Sequence, residues 1–148
     1  MSAIARYFAT NKKQVAGYDK TPSQITSDLE KLGVEVHFED DLKKIPLPFL
    51  KKEQTLIVYT PAIPENNKVL TYFLDHNFSV LKRSEVLGKI TETTFCFAVA
   101  GTHGKTTTSS ILGHIMAEEN ATSFLGGISE NYNSNLILGA DKISVVEA

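Results

Sequence analysis

The chain has 148 residues, a formal net charge of −2 and one cysteine, Cys96. That length holds one medium domain or parts of two. The interspersed charges form no basic stripe for nucleic acid and no polybasic cluster for anionic lipid, and a single cysteine excludes an internal disulfide. No run is long enough to span a bilayer and no signal-peptide core opens the chain, so a reducing cytoplasm is the expected setting.

In chain order, Ala3–Thr10 has helical periodicity, and Gln14–Tyr18 reads as a short strand ending at Asp19. Thr21 is the expected N-cap of the next helix, with Pro22 as its first residue. Ile25, Leu29 and Leu32 follow at helical spacing, and Gly33 is the stop. Val34–Phe38 is a second strand, and the charged run Glu39–Lys44 with Pro46-Leu47-Pro48 reads as a solvated connection. Thr55–Tyr59 is apolar on both faces, as in parallel sheets covered on both sides. A helix over 65–77 is expected to turn Val69, Leu70, Phe73 and Leu74 inward. Phe78–Leu81 then reads as a strand and Arg83–Ile90 as a helix.

The polar break Thr91–Thr94 is the expected boundary between domains at 1–92 and 93–148. Beyond it stands the strand Phe95–Val99, with Cys96 expected as a small buried filler. A helix over Ser109–Glu119, a strand over Thr122–Leu125, a long polar loop over Gly126–Asn135 and a strand ending at Glu147 complete the order. This β–α alternation predicts an α/β fold with mostly parallel strands. His37, His76 and His114 have no metal-ligand spacing and read as structural or surface residues.

Between the Phe95 strand and the next helix stands Ala100-Gly101-Thr102-His103-Gly104-Lys105-Thr106-Thr107-Thr108. Strand, glycine loop, Lys-Thr and helix describe a phosphate-binding loop. Gly101, Thr102, His103, Gly104, Lys105, Thr106 and Thr107 are the expected nucleoside-triphosphate contacts, assigned to ATP by the family resemblance below. Lys105 reaches the outer phosphates and the Thr106 hydroxyl serves Mg²⁺. The common pattern has a glycine where Val99 stands, so Gly101 supplies the turn closer in.

Mg²⁺ takes a carboxylate besides phosphate oxygens. Glu147 ends an apolar strand that would face the loop in a parallel sheet; a surface glutamate at a strand end is the alternative. His103 can meet a substrate carboxylate, meet a phosphate, or hold the loop together. Asp19 can bond a ribose hydroxyl or simply form a turn, the commoner case. The segment Gly126–Asn135 is either a plain surface loop or one that faces substrate, because function in α/β folds gathers at C-terminal strand ends.

Ala100–Ser110 resembles the ATP loop of the Mur ligases. Met1–Arg6, Val15–Asp19, Thr60–Pro64, Lys82–Leu87, Gly126-Gly127 with Ser134-Asn135, and Val145–Ala148 resemble further motifs of that family, in the same order. The resemblance implies a Rossmann-like, parallel-sheet UDP-sugar-binding domain over 1–92, without its first strand and glycine turn. The start of a P-loop ATPase-type α/β domain would follow over 93–148. Together they would form the first third of an enzyme, inactive by itself.

The implied chemistry is ATP-dependent. The lactyl carboxylate of UDP-N-acetylmuramate is phosphorylated, the amine of L-alanine attacks the acyl phosphate, and phosphate leaves. Lys105 and Mg²⁺ held by Thr106 and Glu147 would offset the repulsion between the two anions. His103 joins Lys105 in the implied catalytic set and, with Asn135, in contacts to the muramate. Asp19, Thr60 and Arg83 are carried over to the UDP side, although the family often has Ser where Thr60 stands and Ser-Asp where Tyr18-Asp19 stands. A ligase returning a wall tripeptide to the same UDP-sugar and a non-catalytic nucleotide-binding module are the alternatives.

Overall fold

A computed structural model of the chain describes residues 1–147. These fall into two compact units, Met1 with Phe8–Val86 and Ser2–Tyr7 with the residues from Leu87 onward. Helix α1 (Ser2–Thr10) therefore contributes its first six residues to the second unit.

The first unit contains two separate pairs of parallel strands. β1 (Ala16–Tyr18) pairs with β2 (Glu35–His37), and β3 (Leu56–Tyr59) pairs with β4 (Ser79–Lys82). Between β1 and β2, helix α2 (Gln24–Lys31) is capped by Ser23, not by Thr21. The Ser23 hydroxyl accepts the Thr26 N–H while the Thr26 hydroxyl accepts the Ser23 N–H. This reciprocal capping box satisfies two orphan donors. Thr21 lies instead in the turn before the helix, where its N–H donates to Asp19 Oδ1. Gly33, at φ +83°, ends the helix where glycine adopts the left-handed conformation without strain.

Residues 42–54 form three short 3₁₀ turns. Helix α3 (Lys68–Asp75) is shorter than its apolar pattern suggests. Asn67 caps it by accepting the Leu70 N–H, and Asp40 accepts the N–H groups of Lys68 and Val69. Phe73 is buried and packs edge-on against Phe78, but Leu74 is 53% exposed. One step along a helix turns a side chain by about 100°, so with Phe73 at the middle of the covered face Leu74 falls at its edge. β3 also departs from expectation, because Leu56 is 42% exposed and no β3 residue is buried. The core of this unit comes from Leu29, Val34, Ile45, Phe73 and Val86, all outside the strands.

The second unit is built on one four-stranded sheet. β5 (Phe95–Val99), β6 (Ala121–Ser129), β7 (Ser134–Ile137) and β8 (Ala140–Glu147) lie in the order β5-β8-β6-β7. β5 and β6 are parallel to β8, and β7 is antiparallel to β6. Helix α4 (Arg83–Thr91) precedes β5, and helix α5 (Lys105–Met116) follows the glycine loop. α5 starts four residues earlier than its apolar periodicity indicates, because its first turn is the Lys-Thr-Thr-Thr run. Val145, Ser123 and Ala121 are fully buried at the centre of the sheet. Gly113 lets α5 approach β6, since a Cβ there would meet Ser123 Cβ at 3.0 Å.

The segment Gly126–Asn135 is mostly strand, not a long loop. β6 continues through both glycines to Ser129, turns, and returns as β7. Phe124 and Leu136 are paired partners and both are buried, a long-range contact that the polar composition conceals. The expected burial of Cys96 is also corrected. β5 lies at the edge of the described sheet, and both Cys96 and Phe95 are exposed. The start of α1 packs on this sheet through Tyr7 and Phe124, whose ring centroids are 5.4 Å apart. The α/β fold is Rossmann-like with predominantly parallel pairing. Among the described residues, no helix is long and apolar enough to cross a membrane.

Candidate functional site

The glycine loop joins the C-terminal end of β5 to the N-terminus of α5. Gly101 has φ +156° and Gly104 has φ +74°, backbone conformations that a side chain would strain. Gly104 is the N-cap of α5, and no side chain caps this helix. The uncapped first turn, with its partial positive charge, is therefore offered to an anion. Lys105 Nζ donates to the Gly101 carbonyl at 2.8 Å, folding the cation across the loop. His103 is exposed on the same loop.

Parallel pairing explains how a distant carboxylate reaches this loop. Val99, the last residue of β5, is the register partner of Glu147, the last residue of β8. On the other side of β8, Phe124 is the partner of Val146, which places Gly126 beside Glu147. The Glu147 carboxylate accepts from Thr106 Oγ1 at 3.1 Å, Ser109 Oγ at 3.3 Å and the Gly126 N–H at 3.1 Å. Both glycines of the Gly126-Gly127 pair leave room for this arrangement. A Cβ at 126 would overlap the Glu147 carboxylate, and one at 127 would stand 3.2 Å from Thr106 Cγ2.

The residues present fit a magnesium ion bound with nucleotide. Thr106 Oγ1 and Glu147 Oε1 are 3.1 Å apart. Mg²⁺ holds ligands at about 2.0–2.1 Å in an octahedron, whose edge is about 2.8–3.0 Å. One carboxylate and one hydroxyl leave the remaining positions to phosphate oxygens and water, the usual Mg²⁺ arrangement. No cluster of three His, Cys, Asp or Glu side chains suited to an all-protein metal cage occurs among the described residues.

Three further predicted residues lie at the C-terminal strand ends of the first unit. Thr60 and Arg83 line one cavity of about 300 Å³ together with Pro61, Ala62, Lys82 and Ser84. Asp19 follows β1, and its Oδ1 accepts the Thr21 N–H at 3.2 Å, so it does form the turn. Burial pushes the Met1 amino group below the usual amine range, with Arg83 adding to the effect and Asp19 opposing it. Asp19 and Arg83 therefore both lie within electrostatic reach of residue 1. A larger cavity, about 500 Å³, opens beside Gln14 and Thr55, the residues leading into β1 and β3, and contains none of the predicted residues.

The structure brings Thr106 and Glu147 together directly and sets Gly101, Thr102, His103, Gly104, Lys105 and Thr107 on the adjoining loop and first helical turn. Asn135 stands on β7, where its amide donates to Ser2 Oγ at 2.9 Å. Sequence reasoning passed over Ser109 and the spatial role of Gly126-Gly127. Ser109 stands three residues after Thr106, on the same helical face, and that spacing was the available signal.

The Mur ligase family catalytic-domain model matches residues 1–94. The chain is 57% identical over 150 aligned positions to UDP-N-acetylmuramate–L-alanine ligase of Flavobacterium psychrophilum; the match covers all of this chain and 33% of the relative. The solved UDP-N-acetylmuramate-alanine ligase of Thermotoga maritima superposes with a TM-score of 0.83 at 27% identity, covering 99% of this chain and 34% of that one. A murein peptide ligase structure from Psychrobacter arcticus, 24% identical, shares the fold with a TM-score of 0.83 over 100% of this chain and 35% of its own. The chain thus spans about one third of the length of the relatives it matches. With the family model covering well over half of its residues, the chain belongs to the Mur ligase family.

Proposed function

We propose that this chain supplies the nucleotide-binding part of an ATP-dependent ligase that joins L-alanine to UDP-N-acetylmuramate in peptidoglycan precursor synthesis. The observation that carries this reading is the pairing of Thr106 with Glu147 beside the Lys105 loop. It would set a hydroxyl and a carboxylate to hold Mg²⁺ next to the Lys105 cation, a grip suited to β/γ-phosphates. The 57% identity to an L-alanine ligase favours that acceptor over a wall tripeptide.

The reaction must bring a carboxylate and a γ-phosphate together despite their like charges. Lys105 would exchange the Gly101 carbonyl for phosphate oxygens and offset that repulsion, which grows as the acyl phosphate forms. The N-terminus of α5 would bind phosphate through its first amides. Thr106 and Glu147 would hold Mg²⁺, which when bound neutralises phosphate charge. His103 stands on the loop where it can touch the muramate carboxylate or a phosphate, and Asn135 is the further muramate-side residue. Asp19, Thr60 and Arg83 are assigned to the UDP-sugar, making residues 1–92 the UDP-sugar domain and 93–148 part of the ATP domain. This chemistry belongs in the cytoplasm, where ATP and the UDP-sugar are available.

A chimera tests this function. When this chain replaces the matching third of the Flavobacterium psychrophilum relative, phosphate release from ATP should require both UDP-N-acetylmuramate and L-alanine. Lys105→Ala should lower that release by at least about a hundredfold, as expected for losing a transition-state charge contact. Release that persists in Lys105→Ala, or that needs neither substrate, would overturn the assignment. The 148-residue chain alone should bind ATP without forming product.

A further inference from the structure

We propose that Ser109 and the Gly126 N–H select which oxygen of Glu147 meets the metal, and thereby favour Mg²⁺ over Ca²⁺ at the phosphate loop. This rests on the assignment of Thr106 and Glu147 as metal ligands. The two carboxylate oxygens have different surroundings. Oε2 is engaged twice, by Ser109 Oγ at 3.3 Å and by the Gly126 N–H at 3.1 Å. Among the described residues, Oε1 meets only Thr106 Oγ1, its partner in the proposed metal site.

Each donor of this clamp is held in place. Ser109 is fully buried on α5, and its hydroxyl proton is shared between Glu147 Oε2 and the Thr106 carbonyl at 3.1 Å. One side chain therefore links the carbonyl of one proposed ligand to the carboxylate of the other. Gly126 lies in β6, next to β8, and any side chain there would displace the carboxylate. Glu147 is consequently offered through one oxygen.

That geometry discriminates between the two cations. Mg²⁺ takes single oxygens at about 2.0–2.1 Å, in a strict octahedron. Ca²⁺ takes six to eight oxygens at about 2.3–2.6 Å and readily uses both oxygens of a carboxylate. With Oε2 engaged by protein donors, Ca²⁺ loses its second contact and Mg²⁺ loses nothing. Ser109 acts here through Glu147 and is a positioning residue.

The test measures the affinities of Mg²⁺-ATP, Ca²⁺-ATP and metal-free ATP by calorimetry on the chimera in which this chain replaces the matching third of the Flavobacterium psychrophilum relative. Ser109→Ala should narrow the Mg²⁺-over-Ca²⁺ preference about tenfold, the effect expected of a lost outer-shell hydrogen bond. Metal-free ATP should bind as before. In a Glu147→Gln background, Ser109→Ala should cause no further change in the preference, whereas a general packing role would still show its effect. Ser109→Cys keeps the shape with a slightly larger atom and donates only weakly, and it carries the same expectation if Ser109→Ala does not fold. If Glu147→Gln leaves Mg²⁺-ATP affinity intact, the metal assignment itself fails. If Glu147→Gln weakens Mg²⁺-ATP but the Ser109 variants keep the wild-type preference, the clamp alone is overturned.

Discussion

The two units finish their strands differently. In the second unit, β8 is flanked by β5 and β6, and the buried residues Ser144, Val145 and Val146 lead straight to Glu147. In the first unit, β1-β2 and β3-β4 remain separate pairs, and no residue of these four strands is buried. A strand bonded on both sides holds its last residue in register, so Glu147 arrives with three donors in place. Thr60 and Arg83 instead line an open cavity of about 300 Å³. The preset carboxylate geometry, proposed above to serve Mg²⁺, therefore belongs to the unit with the continuous sheet.

Matched substitutions can break this comparison. Val145→Asp would put an unpaired carboxylate at a fully buried position between two strands, at a cost of several kcal/mol. Hydrogen exchange should show protection lost throughout β5–β8. Leu56→Asp, at a residue 42% exposed, should cost only about 1 kcal/mol. Equal effects would mean that the sheets of the two units are equally committed to stability.

A smaller effect is expected at the binding level. Arg83→Ala should weaken UDP binding by about tenfold, the loss of one charged hydrogen bond, while leaving ATP affinity unchanged. Fluorescence titration with each nucleotide checks this, and a parallel loss of ATP affinity would break the division of labour between the units. The smallest effect concerns a local device of the first unit. Ser23→Ala removes half of the capping box of α2 and should cost about 1 kcal/mol in denaturant unfolding. A negligible change would show that α2 is held by packing at Leu29 rather than by its cap.

Legibility follows how local each signal is. The β–α order and the strand–glycine loop–helix were readable because short apolar runs, Gly101, Gly104 and Lys105-Thr106 act over a few residues. Thr21 looked like the cap because threonine before proline often is one, but Asp19 holds Thr21 in a turn and the Ser23–Thr26 box starts the helix two residues later. The β6–β7 hairpin was hidden because its glycines serve close approach, a purpose that composition cannot distinguish from flexibility. Leu74 and Cys96 were misplaced because burial depends on what lies opposite. Phe73 takes the covered face of α3, and β5 has only β8 beside it.

The amino-acid sequence by itself determined the strand–loop–helix at Gly101–Thr108, since each part depends on neighbours along the chain. It also marked Glu147 as an acidic residue at a strand end. Only the tertiary structure decided that this carboxylate meets Thr106, 41 residues earlier, and that Ser109 and Gly126 hold its other oxygen. The physical reason is register: hydrogen bonding of β8 between β5 and β6 sets which strand ends adjoin, and no local propensity specifies that pairing.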